Sequence, residues 1–572
     1  WLDIIDLSEP AAARLWPPDT WRFWWWWRAS RVIHDRDAAG LSVGLQPIDE
    51  FPFFSFLLGD MHPHVLALPF VLLALGLAFN ALIQRERLSR VQVALYAVCF
   101  GGLAFLNTWD LPIYLFVLGA ALVVRRIRER GWFDPADLVR PLGTTILIGV
   151  LGIAACLPWL VSFSSQAGGI LPNAIFATRL PQFVVMFGPF LVIILWFVVD
   201  QAVLRRRRAD WLTGSLLALG LLLTLIALTA ALSAVALRTE PFVQAYAVSS
   251  AGFSIEGLSA EQINALLPQA LQVIVRHRLA HPLTPLLLAG MIALALALLL
   301  PRPPAQNAPR APFPAAHGFA LVLIVTGALL TLGPEFVYLR DNFGQRLNTI
   351  FKFYYATWIL WGVAAAYAAT ALISARRPLR SAAFATTALV LVLAGMVYPV
   401  FSVPAKTGGL ARDVGHPPPT LDGIDYIRRS YPDDYAGIMW LRDNAEPGAV
   451  VLEAVGGAYS YYGRVSSATG LPTVIGWANH ERQWRGPLYD SVAGTREQDV
   501  REMYSTQSYL RAQELLQKYG VTYVFVGSLE RDEAYASPAG IQKFDRFLTA
   551  VYRSDGVTIY RADRPLTAEE QP

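Results

Sequence analysis

Between Glu50 and His64 the chain reads Glu50-Phe-Pro-Phe-Phe-Ser-Phe-Leu-Leu-Gly-Asp60-Met-His62-Pro-His64, which sets two carboxylates and two imidazoles against the start of a long apolar run. Ionisable groups in such a place are expensive to desolvate and call for a partner or a task. A carboxylate at Asp60, with Glu50 completing the pair, suits the deprotonation of an acceptor hydroxyl. With His62 and His64 beside it, the same carboxylate suits a divalent cation, Mg2+ or Mn2+, that neutralises a leaving phosphate. A structural alternative stays open: Asp60 also fits as the N-cap of a helix beginning near Val65, with Pro63 in its first turn. Two histidines two residues apart are by themselves a weak metal signature.

Two further groups of polar residues interrupt apolar sequence. Asn107-Thr-Trp109-Asp110 places a carboxylate between two short apolar runs, where Asn107, Trp109 and Asp110 would line a cavity. Arg340, Asp341, Arg346 and Lys352 cluster at the start of another run, with Lys352 about one turn inside it. Arg340, Arg346 and Lys352 are the candidates for holding a donor phosphate, with Tyr354 and Tyr355 alongside; a snorkelling Lys352 without a ligand is the alternative.

The elements that must position these groups are membrane spans. Hydrophobic residues make up 55% of the chain and charged ones 16%, against about a quarter charged in soluble domains. Apolar runs able to cross a hydrocarbon core of ~30 Å recur at 65–83, 91–106, 111–124, 142–161, 183–204, 211–237, 283–300, 318–336, 348–372 and 382–401. They predict a predominantly α polytopic bundle of about ten spans, with residues 65–401 as its transmembrane domain. The run 111–124 is short and follows a polar break, so a re-entrant segment is its alternative.

Basic loops at 84–90, 125–130, Arg205-Arg-Arg-Arg208, Arg302 to Arg310 and 376–380 alternate with less basic ones, and the positive-inside rule puts them in the cytoplasm. Residues 1–64, with an interfacial Trp-rich helix around Trp24 to Trp27, and everything after Phe401 then face outward. The 45-residue outer loop carrying Arg276-His277-Arg278 and His281 dissents, which marks it for an anionic ligand. The expected localisation is the cell membrane, multi-pass, with the C-terminal domain extracytoplasmic. An outer amino terminus that lacks an initiator Met or signal peptide reads as a fragment without an upstream crossing. Cys99 and Cys156 lie in apolar runs, so neither a disulfide framework nor a thiolate metal site is expected.

After Phe401 a Pro/Gly-rich linker, residues 402–424, leads to a polar domain at 425–572. Helices at 433–444, 507–519 and 541–550 alternate with strands at 449–453, 473–475 and 521–526. A closing hairpin, 551–552 with 557–560, completes a small α/β layer with a parallel sheet core. Tyr461, Tyr462, Trp477 and Trp484 offer stacking faces for sugar rings, and Asn479, His480, Glu481, Arg482 and Arg485 offer hydrogen bonds to hydroxyls or phosphate. Sealing of the domain against a membrane surface is the structural alternative for the aromatics.

The stretches EFPFFSFLLGDMHPHVLALPF, FLNTWDLPIY, RLNTIFKFYYATW and GLPTVIGWANHERQWRG resemble the YYY-type multi-span membrane proteins, a family of uncharacterised function whose layout is similar to that of the GT-C glycosyltransferases. The resemblance implies a transferase that takes a sugar from a polyprenyl-phosphate donor at the outer face, with membrane lipid and a polyprenyl-linked saccharide as partners and no nucleic acid. It also implies an amino-terminal block, absent from this chain, in which such enzymes carry an acidic residue. A transporter of a polar or lipid-linked substrate and a non-catalytic saccharide-binding envelope protein are the other two readings. Nucleotide-sugar chemistry is disfavoured, because no Gly-rich phosphate loop is present.

Overall fold

The computed structural model describes residues 25–44, 46–163, 168–205, 209–302, 313–341, 343–375, 377–407 and 420–562, and the chain divides into two compact units, residues 1–411 and 412–572. The first unit is a helical bundle. Each of the ten apolar runs lies on a helix: Leu68–Ile83, Arg90–Leu106, Asp110–Arg130, Val139–Ala155, Leu180–Arg205, Trp211–Thr239, Leu283–Leu299, Ala315–Leu332, Leu347–Ile373 and Pro378–Thr407. Within hydrocarbon only a helix satisfies its own backbone polar groups, which is why runs of this length fold so.

Fewer helices than the ten expected crossings meet the length and apolarity of a span. Among the described residues six helices are long and apolar enough to cross a bilayer. There are seven if Ala260–Ala280 and Leu283–Leu299, bent by 53° at their break, form one span. The reason is length and charge. Leu68–Ile83 and Arg90–Leu106 have 16 and 17 residues, which reach only about 25 Å at 1.5 Å per residue. Asp110–Arg130 is one unbroken helix of 21 residues, but its final turns are Arg125 to Arg130, which shortens its apolar part.

Local sequence sets the helix starts. Ser89 and Ser259 form capping boxes with Gln92 and Gln262, and the Asp210 carboxylate accepts from the Thr213 backbone N–H. Small residues set the closest crossings. A Cβ on Gly101 would lie 2.5 Å from the Gly152 carbonyl oxygen, so Arg90–Leu106 and Val139–Ala155 meet backbone to backbone. Gly327 likewise leaves room for Trp361, whose indole is fully buried and donates to the Ile324 carbonyl at 3.2 Å. Ala315–Leu332 runs through the centre, buried along most of its length against Leu347–Ile373, Leu283–Leu299 and Asp110–Arg130. By contrast Trp211–Thr239 and Pro378–Thr407 expose rows of Leu and Val, among them Leu216, Leu223, Leu389 and Leu393, as lipid-facing helices do. A two-stranded antiparallel ribbon, β1 (Ile170–Pro172) with β2 (Val337–Leu339), ties two loops of the unit together.

The second unit carries a four-stranded sheet. Its strands are β3 (Val450–Leu452), β4 (Val521–Val526), β5 (Thr549–Arg553) and β6 (Thr558–Arg561), in the order β3-β4-β6-β5. Only β3 and β4 are parallel; β6 pairs antiparallel with both β4 and β5, so the core is a mixed sheet rather than a parallel one. The helix expected over 541–550 is shorter, Pro538–Gln542 with a 3-10 turn Lys543–Arg546, because Thr549 and Ala550 are already in β5. The strand expected at 473–475 is reduced to a single bridge, Thr473 to Val451. Helices Pro432–Asn444 and Tyr509–Lys518 lie where the sequence predicts them.

The Trp-rich segment is described from Trp25 onward, where Trp25–Arg28 form a single helical turn. Residues 17–24, most of the linker (408–419), Arg206 to Arg208, Arg310 and Arg376 lie outside the described residues.

Candidate functional site

The site begins with a short helix, Pro52–Leu58, fixed by aromatic stacking. Phe51 stacks on Trp358 with centroids 5.0 Å apart, Phe54 packs on Trp26 and Trp27, and Phe53 meets Tyr398 edge-on. Gly59 ends this helix with φ 77°, a left-handed conformation that favours glycine, and turns the chain into Asp60. Asp60 is not the N-cap of the next helix. His62 holds that position without a side-chain cap bond, and the Asp60 Oδ1 instead accepts from the His62 backbone N–H at 3.0 Å. Pro63 opens the turn Pro63–Leu66, which delivers His64 inward.

The outcome is a compact donor set. Ligand atoms of Glu50, Asp60 and His64 all lie within 4.8 Å of one another. Glu50 and His64 are buried, and the Asp60 side chain is nearly so. The His64 ring is held edge-on to Phe351 and Tyr355 at 4.6 Å each. Neither of its nitrogens has a hydrogen-bond partner among the described residues; the Asp60 Oδ2 stands 3.5 Å from Nε2. His62 belongs to the group only at its rim: its ring contacts the Asp60 carboxylate but is 64% exposed.

Burial, with the nearby Lys352 ammonium next, drives the His64 pKa down to about 3, so the ring is neutral and its lone pair is free to bind. Glu50 is pushed above the usual carboxylate value, first by burial and further by Asp60, with Arg31 opposing. Asp49, which accepts from the Val32 N–H at 3.0 Å, is raised to about 7, chiefly by burial.

Two other motifs converge on the same place. The charged groups acting on Lys352 are Asp110, Asp60 and Glu50, and its ammonium lies 4.7 Å from the Phe351 ring centre. Asp110 is buried and receives a 3.0 Å hydrogen bond from the Asn107 side chain, while Trp109 sits edge-on to Phe353. Three carboxylates, Asp110, Asp60 and Glu50, thus act on one ammonium, Lys352, while Arg31 acts on Asp49 and Glu50. Two carboxylates and one neutral imidazole fit a divalent transition cation such as Mn2+ better than Mg2+, which favours an all-oxygen shell.

The other basic candidates are placed elsewhere. Arg346 is fully buried and binds Asp35 at 2.5 Å and Glu335 at 2.8 Å. Burial alone would lower its pKa; Asp35 and then Glu335 outweigh that and hold it above its ordinary value. Arg278, from the basic loop that suggested an anionic ligand, donates to the Glu335 carbonyl at 2.6 Å and to the Phe176 carbonyl. Arg340 is exposed just after β2, its backbone bonded to Gly168 and Gly169.

In the second unit Trp477 donates to the Tyr462 carbonyl at 2.7 Å, and His480 packs edge-on to both Trp477 and Tyr459. Glu481 binds Arg485 at 2.6 Å, Arg482 lies over Tyr489, and Trp484 and Asn479 are exposed. Tyr461 is taken up by the fold, stacked on Tyr431 at 4.0 Å with its hydroxyl donating to Asp434.

Sequence reasoning missed the acids that organise the buried arginines: Asp35 and Glu335 for Arg346, and Asp434 and Glu530 for Arg464. Asp35 and Arg346 are 311 positions apart, and nothing local in either stretch pairs them. No curated protein matches the chain. Residues 6–361 match the family described as Uncharacterized membrane protein (DUF2298), and the chain belongs to that family.

Proposed function

We propose that this membrane protein is a glycosyltransferase of GT-C type that moves a sugar from a polyprenyl-phosphate donor to an acceptor, with the Glu50, Asp60, His64, Lys352 and Asp110 cluster as its reaction centre. The observation that carries the reading is the convergence on one buried place of three segments far apart in sequence, with an orphaned imidazole among three carboxylates and one ammonium. Buried ionisable groups left unpaired concentrate where chemistry is done.

In the proposed reaction Glu50 or Asp60 takes the acceptor hydroxyl proton, the acceptor oxygen bonds to the anomeric carbon, and the bond from that carbon to the lipid phosphate breaks. Lys352 sits close enough to these carboxylates to receive the negative charge of the departing polyprenyl phosphate. A divalent cation held by Glu50, Asp60 and His64 would supply further charge neutralisation at that phosphate. Arg346 and Arg278 have no part in it, because their donors are spent on Asp35, Glu335 and Phe176. Trp477, His480 and exposed Trp484 are the proposed saccharide-stacking surface of the second unit.

The test uses the protein in proteoliposomes with radiolabelled polyprenyl-phosphate hexose and pentose donors, a lipid and peptide acceptor pool, and Mn2+ or Mg2+. Transfer by wild type that falls at least a hundredfold in Asp60→Asn and in Lys352→Ala supports the reading. Donor left unconsumed in every combination removes it.

One observation favours transport as a second reading: the 53° break between Ala260–Ala280 and Leu283–Leu299, since discontinuous helices mark substrate sites in transporters. Uptake of intact lipid-linked donor without transfer, in the same vesicles, would select it.

A further inference from the structure

At the opposite end of the bundle lies a second built feature that the proposed chemistry does not use. A cavity of about 440 Å³ opens between the loop after Leu68–Ile83 and the helices Arg90–Leu106, Asp110–Arg130 and Val139–Ala155. Its lining holds four arginines, Arg87, Arg125, Arg126 and Arg140, and, among the described residues, no carboxylate. Arg125 lies fifteen residues along the helix that begins at Asp110, about 22 Å away at 1.5 Å per residue. The cavity and the carboxylate cluster are therefore at different depths.

The four arginines differ in how they are held. Arg125 is anchored: it donates to the Ala81 and Glu86 carbonyls, each at 3.3 Å, and pairs with Glu129. Arg126 is held by Glu129 and Asp137. Arg87 and Arg140 are exposed and have neither an ion pair nor a hydrogen bond to the described residues. Two fixed and two free guanidiniums around one opening form a receptor for an oxyanion, since each presents planar forked donors to phosphate oxygens.

Apart from Thr144 the remaining side chains of the wall are apolar, Leu88, Val93, Leu122 and Leu147 among them. Val139–Ala155 carries this character outward on the same face, because Leu147 of the lining and Leu151 one turn beyond it are 48% and 42% exposed. Arg140 stands near the start of that candidate span, at headgroup depth, and Leu147 and Leu151 lie about two and three turns deeper, at acyl depth. A soluble anion has no use for that apolar continuation, whereas a phospholipid matches both parts of it.

We infer that the cleft of Arg87, Arg125, Arg126 and Arg140 binds the phosphate of an anionic phospholipid headgroup, with an acyl chain laid along Leu147 and Leu151. Basic clefts between helix ends are where such headgroups are held.

The experiment is native mass spectrometry of the purified protein titrated with phosphatidylglycerol, phosphatidylcholine or inorganic phosphate. Expected is retention of phosphatidylglycerol at least tenfold above phosphatidylcholine. Arg87→Gln with Arg140→Gln should abolish that preference, and Arg85→Gln, outside the cleft, should leave it intact. An unfolding temperature equal to that of wild type in the same detergent reports that each variant is folded. Equal retention of both lipids, or a preference unchanged in the double variant, overturns the inference. Displacement of the lipid by millimolar inorganic phosphate would make this a soluble-phosphate site and equally overturn the lipid assignment.

Discussion

Arg346 and Lys352 stand six residues apart at the start of one helix, about 9 Å along its axis, and the surroundings of the two cations are opposite. Around Arg346 the charges close: Asp35 and Glu335 are balanced by Arg346 and Arg278, and each carboxylate is in direct contact with a guanidinium. Around Lys352 they do not. Asp110, Asp60 and Glu50 act on the ammonium without a direct ion pair among the described residues, and His64 beside them has no hydrogen bond. A buried network that satisfies itself stabilises or specifies a fold, and one left open waits for something the chain does not contain. The second unit repeats the closed type in Arg464, fully buried between Asp434 at 2.8 Å and Glu530 at 2.7 Å, with Glu530 also accepting from the Ala454 and Gly527 N–H groups.

The strongest way to break this contrast is to remove one member of a closed network. Arg346→Ala would leave Asp35 and Glu335 buried and unpaired, and loss of one partner from such a group costs about 3–5 kcal/mol. The expected outcome is a marked drop in the unfolding temperature of the detergent-solubilised protein, with Arg346→Lys recovering only part of it because lysine cannot grip two carboxylates with a fork. If Arg346→Ala were as stable as wild type while losing sugar transfer, Arg346 would belong with the open cluster.

The matching change in the open cluster should act on binding rather than on folding. Asp60→Asn removes one of two anionic donors of the candidate cation site, so Mn2+ affinity read by electron paramagnetic resonance should fall at least tenfold, about 1.4 kcal/mol. Thermal stability without the cation should hold or rise, since Asp60 is a carboxylate placed close to Glu50, whose charged form it disfavours. A cation affinity unchanged in Asp60→Asn and in His64→Ala would show that the cluster is closed by something other than a metal ion.

Lys543 sharpens the comparison from a third side. It is buried, with its ammonium donating to the Tyr504 carbonyl at 3.2 Å and to the Gly540 carbonyl, and burial lowers its pKa to about 7. Between pH 7 and about 10 the unfolded chain holds a proton here that the folded chain releases, so the folded state gains stability as pH rises, by at most about 1.4 kcal/mol per pH unit. Hydrogen exchange of the 538–548 amides, corrected for intrinsic rates, should slow across that window in wild type and be flat in Lys543→Met. A flat wild-type profile would mean that two carbonyl dipoles hold the ammonium as firmly as a carboxylate would.

The same contrast explains what could be read from sequence. The open cluster was legible because its members announce themselves locally: Glu50, Asp60, His64, Asp110 and Lys352 are ionisable groups in apolar surroundings, where any such group is conspicuous. The closed networks were not, because Asp35 and Glu335 look ordinary until the fold brings them to Arg346 across 311 and 11 positions. Apolar runs gave the helices and nearly their ends, yet not how many cross a membrane, which depends on lengths such as the 16 residues of Leu68–Ile83. In the second unit the strands were visible as β-branched runs. Their mixed directions were not, because the antiparallel pairing of β6 with β4 is a long-range choice that alternating helices and strands misrepresent.

The smallest expected effect lies on the surface of that second unit. Glu481 and Arg485 form an i,i+4 pair at 2.6 Å on the helix Ala478–Arg485, and both are partly exposed. Exposed pairs of this kind contribute about 0.3–0.5 kcal/mol, so Glu481→Gln should hardly move stability. The same substitution keeps an amide able to bond a sugar hydroxyl and releases Arg485, which makes it a clean discriminator for the proposed saccharide surface. If Trp477, His480 and Trp484 stack a sugar there, Glu481→Gln should change saccharide affinity by a few-fold at unchanged stability, measured by quenching of tryptophan fluorescence. Trp484→Ala, removing a 64% exposed indole, should lose more affinity at equally small structural cost. Equal affinities in wild type and both variants would reduce the Asn-His-Glu-Arg stretch to an ordinary amphipathic turn and confine the chemistry of the protein to the open cluster of the bundle.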